Sequence, residues 1–222
     1  MLTPMGALLV IRIYLPFAAG YYLSYTFRTI NAVMAPELAN DIGIDAAGLG
    51  LLTSVYLLTF AAFQLPLGVL LDRYGPKQTQ VVLLMLAVAG ALIFATAESA
   101  SGLILGRALI GFGVSSCLMA SFKAFAQWFP PNHLPFANGV MFMIGGIGAM
   151  SSTAPAEAAL GFTDWRGVFL WLAALTAGAA ILTAVLVPSQ PPRPEGPRES
   201  FTAAIAGFGR VVRHPKFLRF AP

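Results

Sequence analysis

Apolar residues run through this chain in long unbroken blocks, separated by short polar connections. Ala46 to Leu71, Gln78 to Ala97 and Gly167 to Val187 contain no charged residue, and Ala124 to Ala156 holds a turn followed by another apolar block. Two further apolar stretches are interrupted only by Arg28 and Arg107. A bilayer core about 30 Å thick needs about 20 such residues per helix, so the pattern predicts six spans, roughly 13–35, 47–71, 78–97, 101–125, 136–158 and 167–187. Membrane strands would alternate over about ten residues, and no such alternation is present. The expected fold is all-α: a polytopic bundle of six transmembrane helices over residues 1–188.

Composition agrees with lipid as the solvent. Charged residues make up 10% and apolar residues 58%, with mean hydropathy +0.78. A soluble domain would need about 25% charged residues for its polar coat. Arg12 within the first apolar block, and the length of that block, argue against a cleaved signal peptide. Cys117 is the single cysteine and falls inside a span, so no disulfide framework exists.

Lys and Arg in the connections set orientation, because they favour the cytoplasmic side. With the N-terminus inside, the inner segments carry Arg12, Arg73, Lys77, Arg193, Arg198, Arg210, Arg213, Lys216 and Arg219, whereas the outer connections carry only Arg166. Both ends of the chain are therefore expected in the cytoplasm. The net charge of +4 reflects this topology and contact with anionic lipid, and nucleic acid is not implied.

From Pro188 the composition turns to prolines and charges, predicting a cytoplasmic linker over 189–222. Within it Phe201, Ile205, Phe208 and Val212 recur at helical spacing, which fits a short amphipathic helix on the inner surface or a solvated tail. The final F-L-R-F-A-P reads like the approach to another membrane helix, so the chain is expected to be half of a longer protein. The connection after the second span (Gly68, Asp72, Arg73, Gly75) and the one after the fifth (Gly161, Asp164, Arg166, Gly167) share residue types on opposite faces, as a 3+3 inverted repeat would place them.

Arg28 is the sharpest candidate for function, because a charge deep in a span costs about 2.5–3.5 kcal/mol even on the lenient insertion scale. Tyr21, Ser24, Arg28 and Asn31 form one polar stripe at helical spacing, which a water-filled path would explain. Arg107 in the fourth span is expected at similar depth. Two guanidiniums without a carboxylate beside them would attract an anion. Alternatively, each ties helices together through backbone carbonyls. Lys123 stands about 24 Å along the helix from Arg107 and some 160° around it, so the two cannot share a site. It either snorkels to the inner surface or guards the inner mouth of the path.

Glycines of the fourth and fifth spans, Gly102, Gly106, Gly111, Gly113, Gly145, Gly146 and Gly148, allow close helix contact, and Pro155 breaks the fifth helix near its outer end. In the connection after the second span, Gly68 would admit a neighbouring helix, Gly75 a positive φ, and Asp72 a helix N-terminus or an arginine partner.

That connection, G-V-L-L-D-R-Y-G-P-K, resembles the signature loop between the second and third helices of the major facilitator superfamily, and G-R-A-L-I-G-F-G resembles its second motif. The resemblance covers roughly residues 10–187, with six spans in the right order. It implies that Gly68, Asp72, Arg73, Gly75 and Lys77 form a latch between two six-helix halves. It also implies that the first and fourth helices line a central path, and that the bundle moves by rocking. Where the family's antiporter motif places Gly before Pro, Ala154 precedes Pro155, which disfavours a drug/proton antiporter.

No Asp, Glu or His lies near the middle of a span, and His133 and His214 read as ordinary loop residues. An intramembrane enzyme would need a nucleophile with a base, or a metal-ligand cluster, at membrane depth. No nucleotide-binding loop occurs, and neither cofactor nor metal is expected. The expected activity is secondary active transport of a small solute, favoured as an organic anion, in the plasma membrane. The rival is a self-contained six-helix receptor or scaffold.

Overall fold

The computed structural model describes residues 4–189, with side chains from residue 11 onward. The proline-rich linker, the expected amphipathic helix and His214 lie outside the described residues. Within them every element is helical: α1 (Pro4–Ile42), α2 (Ala46–Ala95), α3 (Ala100–Val114), α4 (Cys117–Trp128), α5 (Leu134–Ser151), α6 (Ala154–Leu160) and α7 (Trp165–Leu186), with a 3₁₀ turn at Pro131–His133 before α5. Four stretches are long and apolar enough to cross a membrane: Ala46–Ala95, Ala100–Trp128, Pro131–Leu160 and Trp165–Leu186. The protein is a multi-pass membrane protein, all-helical among the described residues.

At 50 residues α2 would extend about 75 Å if straight, more than twice the thickness of a bilayer core. It does not run straight. Gly75 breaks it with φ 77° and ψ 170°, a left-handed value that glycine adopts without a Cβ clash. Thr79 Oγ1 then donates to Leu70 O at 3.3 Å across nine residues, which a continuous helix would hold about 13 Å apart. The two arms of α2 thus pack as separate rods. The break between α3 and α4 falls at Ser115–Ser116, where Ser115 Oγ bonds back to Phe112 O at 2.7 Å and Gln64 Nε2 donates to the Ser115 carbonyl at 3.3 Å. The break between α5 and α6 falls just before Pro155, which lacks an amide hydrogen and occupies the first turn of α6. Asp45, Ser99 and Asp164 cap α2, α3 and α7 by accepting from Gly48, Gly102 and Gly167 amides.

One core runs through the bundle, with Phe17, Phe27, Met34, Tyr56, Phe94, Phe125, Trp165 and Phe169 fully buried. Phe94 stacks on Phe169 at 4.1 Å and meets Trp165 edge-on at 5.7 Å, joining the second arm of α2 to α7. The outward surface is also apolar: Leu58, Leu65, Val82, Leu175 and Val185 are exposed. That arrangement is uphill in water and natural in lipid. Helices approach closely at several glycines, among them the place where Gly90 of α2 faces Gly106 of α3. A Cβ on Gly106 would lie 2.8 Å from Phe94 Cβ and 2.9 Å from Gly90 O. Gly68 does not serve such an approach: it is exposed and no described atom lies within 4 Å of where its Cβ would be, so the expected helix contact there is absent among the described residues.

Candidate functional site

Arg28 lines an open cleft of about 620 Å³ between α1, the first arm of α2 and the α5–α6 segment. Asn31, Thr29, Thr53 and Thr153 supply the other polar groups, and Ala32, Val33, Leu49 and Ala149 the apolar wall. On α1 the lining residues run from Arg28 to Ala35, so the arginine stands at the end of the cleft nearer the middle of α1. Asn31 is nearly buried; its Nδ2 donates to Thr53 Oγ1 at 3.5 Å and its Oδ1 has no partner among the described residues.

The guanidinium of Arg28 carries no carboxylate partner among the described residues, where the ion pairs are Lys123–Asp72 and Arg166–Asp41. Its Nε is buried without a hydrogen bond. What meets it are two rings, Tyr25 at 4.8 Å and Phe60 at 4.9 Å from the ring centroids, and the side-chain hydroxyl of Tyr56.

The rest of the stripe behaves differently. Tyr21 is buried against Tyr25 in an edge contact at 5.0 Å, and Ser24 is buried with its hydroxyl 3.5 Å from Val114 O. Neither lines the cleft. Arg107 is fully buried and donates from Nη1 to Phe27 O at 2.8 Å, with its guanidinium 4.9 Å from the Tyr56 ring centroid. Its Nε and Nη2 have no partner among the described residues. Arg107 thus joins α3 to α1 through a backbone carbonyl, and the shared surface expected of the two arginines is not what the geometry provides. Both lie beside Tyr56, whose hydroxyl meets Arg28 and whose ring faces Arg107.

Sequence reasoning did not single out Tyr25, Tyr56 or Phe60. A signal was present: Thr53, Tyr56, Phe60 and Gln64 recur at spacings of three, four and four, giving the first arm of α2 a face with polar and aromatic character that meets α1 and α3. Tyr56 Oη donates to Ser24 O at 3.2 Å and Arg107 to Phe27 O. Those two carbonyls lie four residues before Arg28 and Asn31, so the turn that presents both cleft residues is held from α2 and α3 together.

At the end of the bundle that carries Gly75, Asp72 pairs with Lys123 in place of an arginine, and Arg73 lies over the Tyr74 ring at 5.4 Å. Lys77, at the start of the second arm of α2, donates to Val187 O just past α7 at 2.7 Å. The opposite end mirrors this tie. Arg166, at the start of α7, donates from Nη2 to Ala97 O just past α2 at 3.0 Å, and from Nη1 to Asp41. It also stacks over Trp165 at 4.1 Å, and the Trp165 indole donates to Asp41 at 3.1 Å. The hydrogen bond from Arg166, with that from Trp165, holds the exposed Asp41 carboxylate below its ordinary value of 3.8.

Among the described residues no cluster of three or more His, Cys, Asp or Glu side chains is placed to hold a metal ion. A sequence model of the Major Facilitator Superfamily matches residues 17–221. Among curated proteins, a nitrate/nitrite transporter NrtP from Picosynechococcus is 34% identical over 60% of this chain and 25% of its own length. A probable sulfoacetate transporter SauU from Cupriavidus necator is 26% identical over 77% of this chain and 40% of its own. An uncharacterized transporter YybO from Bacillus subtilis is 33% identical over 67% of this chain and 34% of its own. The chain thus spans a quarter to two-fifths of the length of these relatives.

Proposed function

Because the chain belongs to the Major Facilitator Superfamily, we propose that it forms the N-terminal half of a secondary active transporter that moves a small anion by alternating access, with Arg28 as the anion's anchor. The observation that carries this reading is an arginine lining an open cleft, held by rings and left without a carboxylate partner among the described residues. A guanidinium in that state offers in-plane N–H donors to an oxyanion, bidentately where the acceptor is a carboxylate. Asn31, Thr53 and Thr153 add neutral groups to orient the rest of the solute. The names of two relatives, a nitrate/nitrite and a sulfoacetate transporter, lie in the same chemical class.

In this reading the two arms of α2, together with α1, α3–α4, α5–α6 and α7, make six spans in a 3+3 inverted repeat. Both chain ends lie in the cytoplasm and the Gly75 end is the inner face. Gly68, Asp72, Arg73, Gly75 and Lys77 latch that face against a second six-helix half, and Lys123, paired with Asp72, belongs to the latch as well as to the inner mouth. The cleft opens outward, and a gradient drives rocking of the two halves in a plasma membrane, a bacterial inner membrane being favoured. The chemistry required is binding and release, so no cofactor or metal enters.

The test is uptake by the full-length protein in proteoliposomes, offering nitrate, sulfoacetate, acetate and inorganic phosphate beside glucose and glycerol. Uptake of an anion that falls at least tenfold in Arg28→Ala supports the reading. Uptake of neutral solutes only, or normal anion uptake by Arg28→Ala, refutes it. No uptake of anything favours the receptor or scaffold.

A further inference from the structure

An arginine at membrane depth usually finds a carboxylate, caps backbone carbonyls, or snorkels to the interface. Each outcome would spoil an anion anchor: a carboxylate cancels the charge, carbonyls consume the donors, and snorkelling moves the group away. The structure shows a fourth arrangement around Arg28, with ring faces from two different helices within 4.9 Å of the guanidinium carbon. We propose that Tyr25 and Phe60 are positioning residues that hold Arg28 un-neutralised and fixed in the cleft, ready for an oxyanion. This rests on the reading of Arg28 as the anchor.

The physical reason is the aromatic quadrupole. A ring face stabilises a cation electrostatically and takes up none of its in-plane N–H groups, so beyond the one that meets the Tyr56 hydroxyl the donors survive for the solute. The rings are themselves held. Tyr25 is met edge-on by Tyr21 at 5.0 Å and lies against α5 at Gly145, where an added Cβ would come within 3.1 Å of its ring. Phe60 stacks on Tyr56 at 6.3 Å, and Tyr56 is tied through its hydroxyl to Ser24 O. Tyr21 and Ser24, which do not reach the cleft, thus support the two rings that do reach Arg28. The stripe of α1 acts in two layers.

The experiment measures the rate at which phenylglyoxal modifies Arg28, followed on the peptide that carries it, in the full chain reconstituted in liposomes. Phenylglyoxal must reach the guanidino nitrogens, so an arginine held between ring faces reacts slowly. Phe60→Leu keeps the apolar bulk and removes the quadrupole, and Tyr25→Leu does the same from the other helix. Both are expected to speed modification of Arg28 about threefold or more, whereas Phe60→Tyr, which retains a ring face, stays near the parent rate. Arg166 in the same sample reports the fold, because its ties to Asp41 and Ala97 do not involve either ring. A global loosening would accelerate Arg166 too and would not be rescued by Phe60→Tyr. Unchanged Arg28 reactivity in both leucine variants, or equal acceleration in Phe60→Tyr, overturns the proposal. If Arg28→Ala still abolishes anion uptake in that case, the anchor stands and only the role of the rings falls.

Discussion

The contact between Gly90 and Gly106 is one of those that set how near α3 lies to the second arm of α2, and Gly106→Ala tests what depends on it. The new Cβ would stand 2.8 Å from Phe94 Cβ, 2.9 Å from Phe94 Cα and 2.9 Å from Gly90 O. Two of those atoms belong to the backbone and cannot rotate away, so the helices must separate by about 0.5–1 Å to reach ordinary contact distances, at an overpacking cost of about 1–3 kcal/mol. Alanine recovers up to about 1 kcal/mol of helix propensity. Residue 107 is next in the chain, and a shift of that size stretches the bond from Arg107 to Phe27 O, one of the bonds to a charged group that contribute about 1.5–3 kcal/mol when intact. The expected net loss is about 2 kcal/mol, a fall in Tm of about 4–8 °C for a chain of this size. Thermal unfolding of the purified protein in one detergent, followed by tryptophan fluorescence, measures it. Gly178→Ala is the control, since no described atom lies within 4 Å of its Cβ position and its Tm should hold or rise. Gly90→Ala should match Gly106→Ala, and the double variant should lose less than the sum, because helices already parted by the first methyl accept the second more easily. An unchanged Tm in Gly106→Ala, or strict additivity in the double variant, refutes the reasoning.

Lys77→Met and Arg166→Met each remove one of the two mirrored ties and should lower Tm by about 2–4 °C, each bond being discounted to about 1 kcal/mol for partial exposure. Asp72→Asn, whose carboxylate side chain is 81% exposed in its pair with Lys123, should leave Tm nearly unchanged while altering transport if the latch reading holds. The Asp41 carboxylate titrates below its ordinary 3.8, so its pairing stabilises the fold above that value and is lost as the pH falls through the lower, folded-state value. The stability difference between the parent and Asp41→Asn should be constant from about pH 5 to 8 and vanish on acidification beneath 3.8; a difference that persists there contradicts the assignment. Tyr56→Phe removes the donor to Ser24 O and should cost about 1 kcal/mol in thermal unfolding, with the ring contact to Phe60 retained.

Helical content was legible because lipid imposes it: runs of charge-free residues leave no other way to satisfy the backbone. Local devices were legible too where one residue decides the outcome, as at Gly75 with its positive φ and at Pro155 with its missing donor. What a sequence cannot carry is the identity of the neighbour. Arg28 and Arg107 read alike as lone charges in apolar runs, yet one opens on a cleft and the other closes on Phe27 O, because rotation about each helix axis is set by packing against α2. The same limit hid Tyr25 and Phe60. Aromatic residues in a membrane helix are ordinary, and only the three-dimensional approach of Arg28 gives these two a task.

If the bundle rocks as proposed, the mirrored ties bear on which of its helices can move. Lys77 reaches from the start of one rod to the carbonyl end of α7, and Arg166 reaches from the start of α7 to the carbonyl end of that rod. Each places a cation where the helix dipole is negative, so both ends of the antiparallel pair are held by the same physics acting in opposite directions. A repeat related by a two-fold axis in the membrane plane would generate this reciprocity from a single ancestral contact. With the Phe94–Phe169–Trp165 stack between the two ends, α7 and the second arm of α2 form a tied spine that contributes no residue to the cleft lining. Motion would then have to pass through α1, the first arm of α2 and α5, the elements that line the cleft around Arg28. If loosening the spine by combining Lys77→Met with Arg166→Met slowed transport no more than it lowered the amount of folded protein, the spine would be a matter of stability alone.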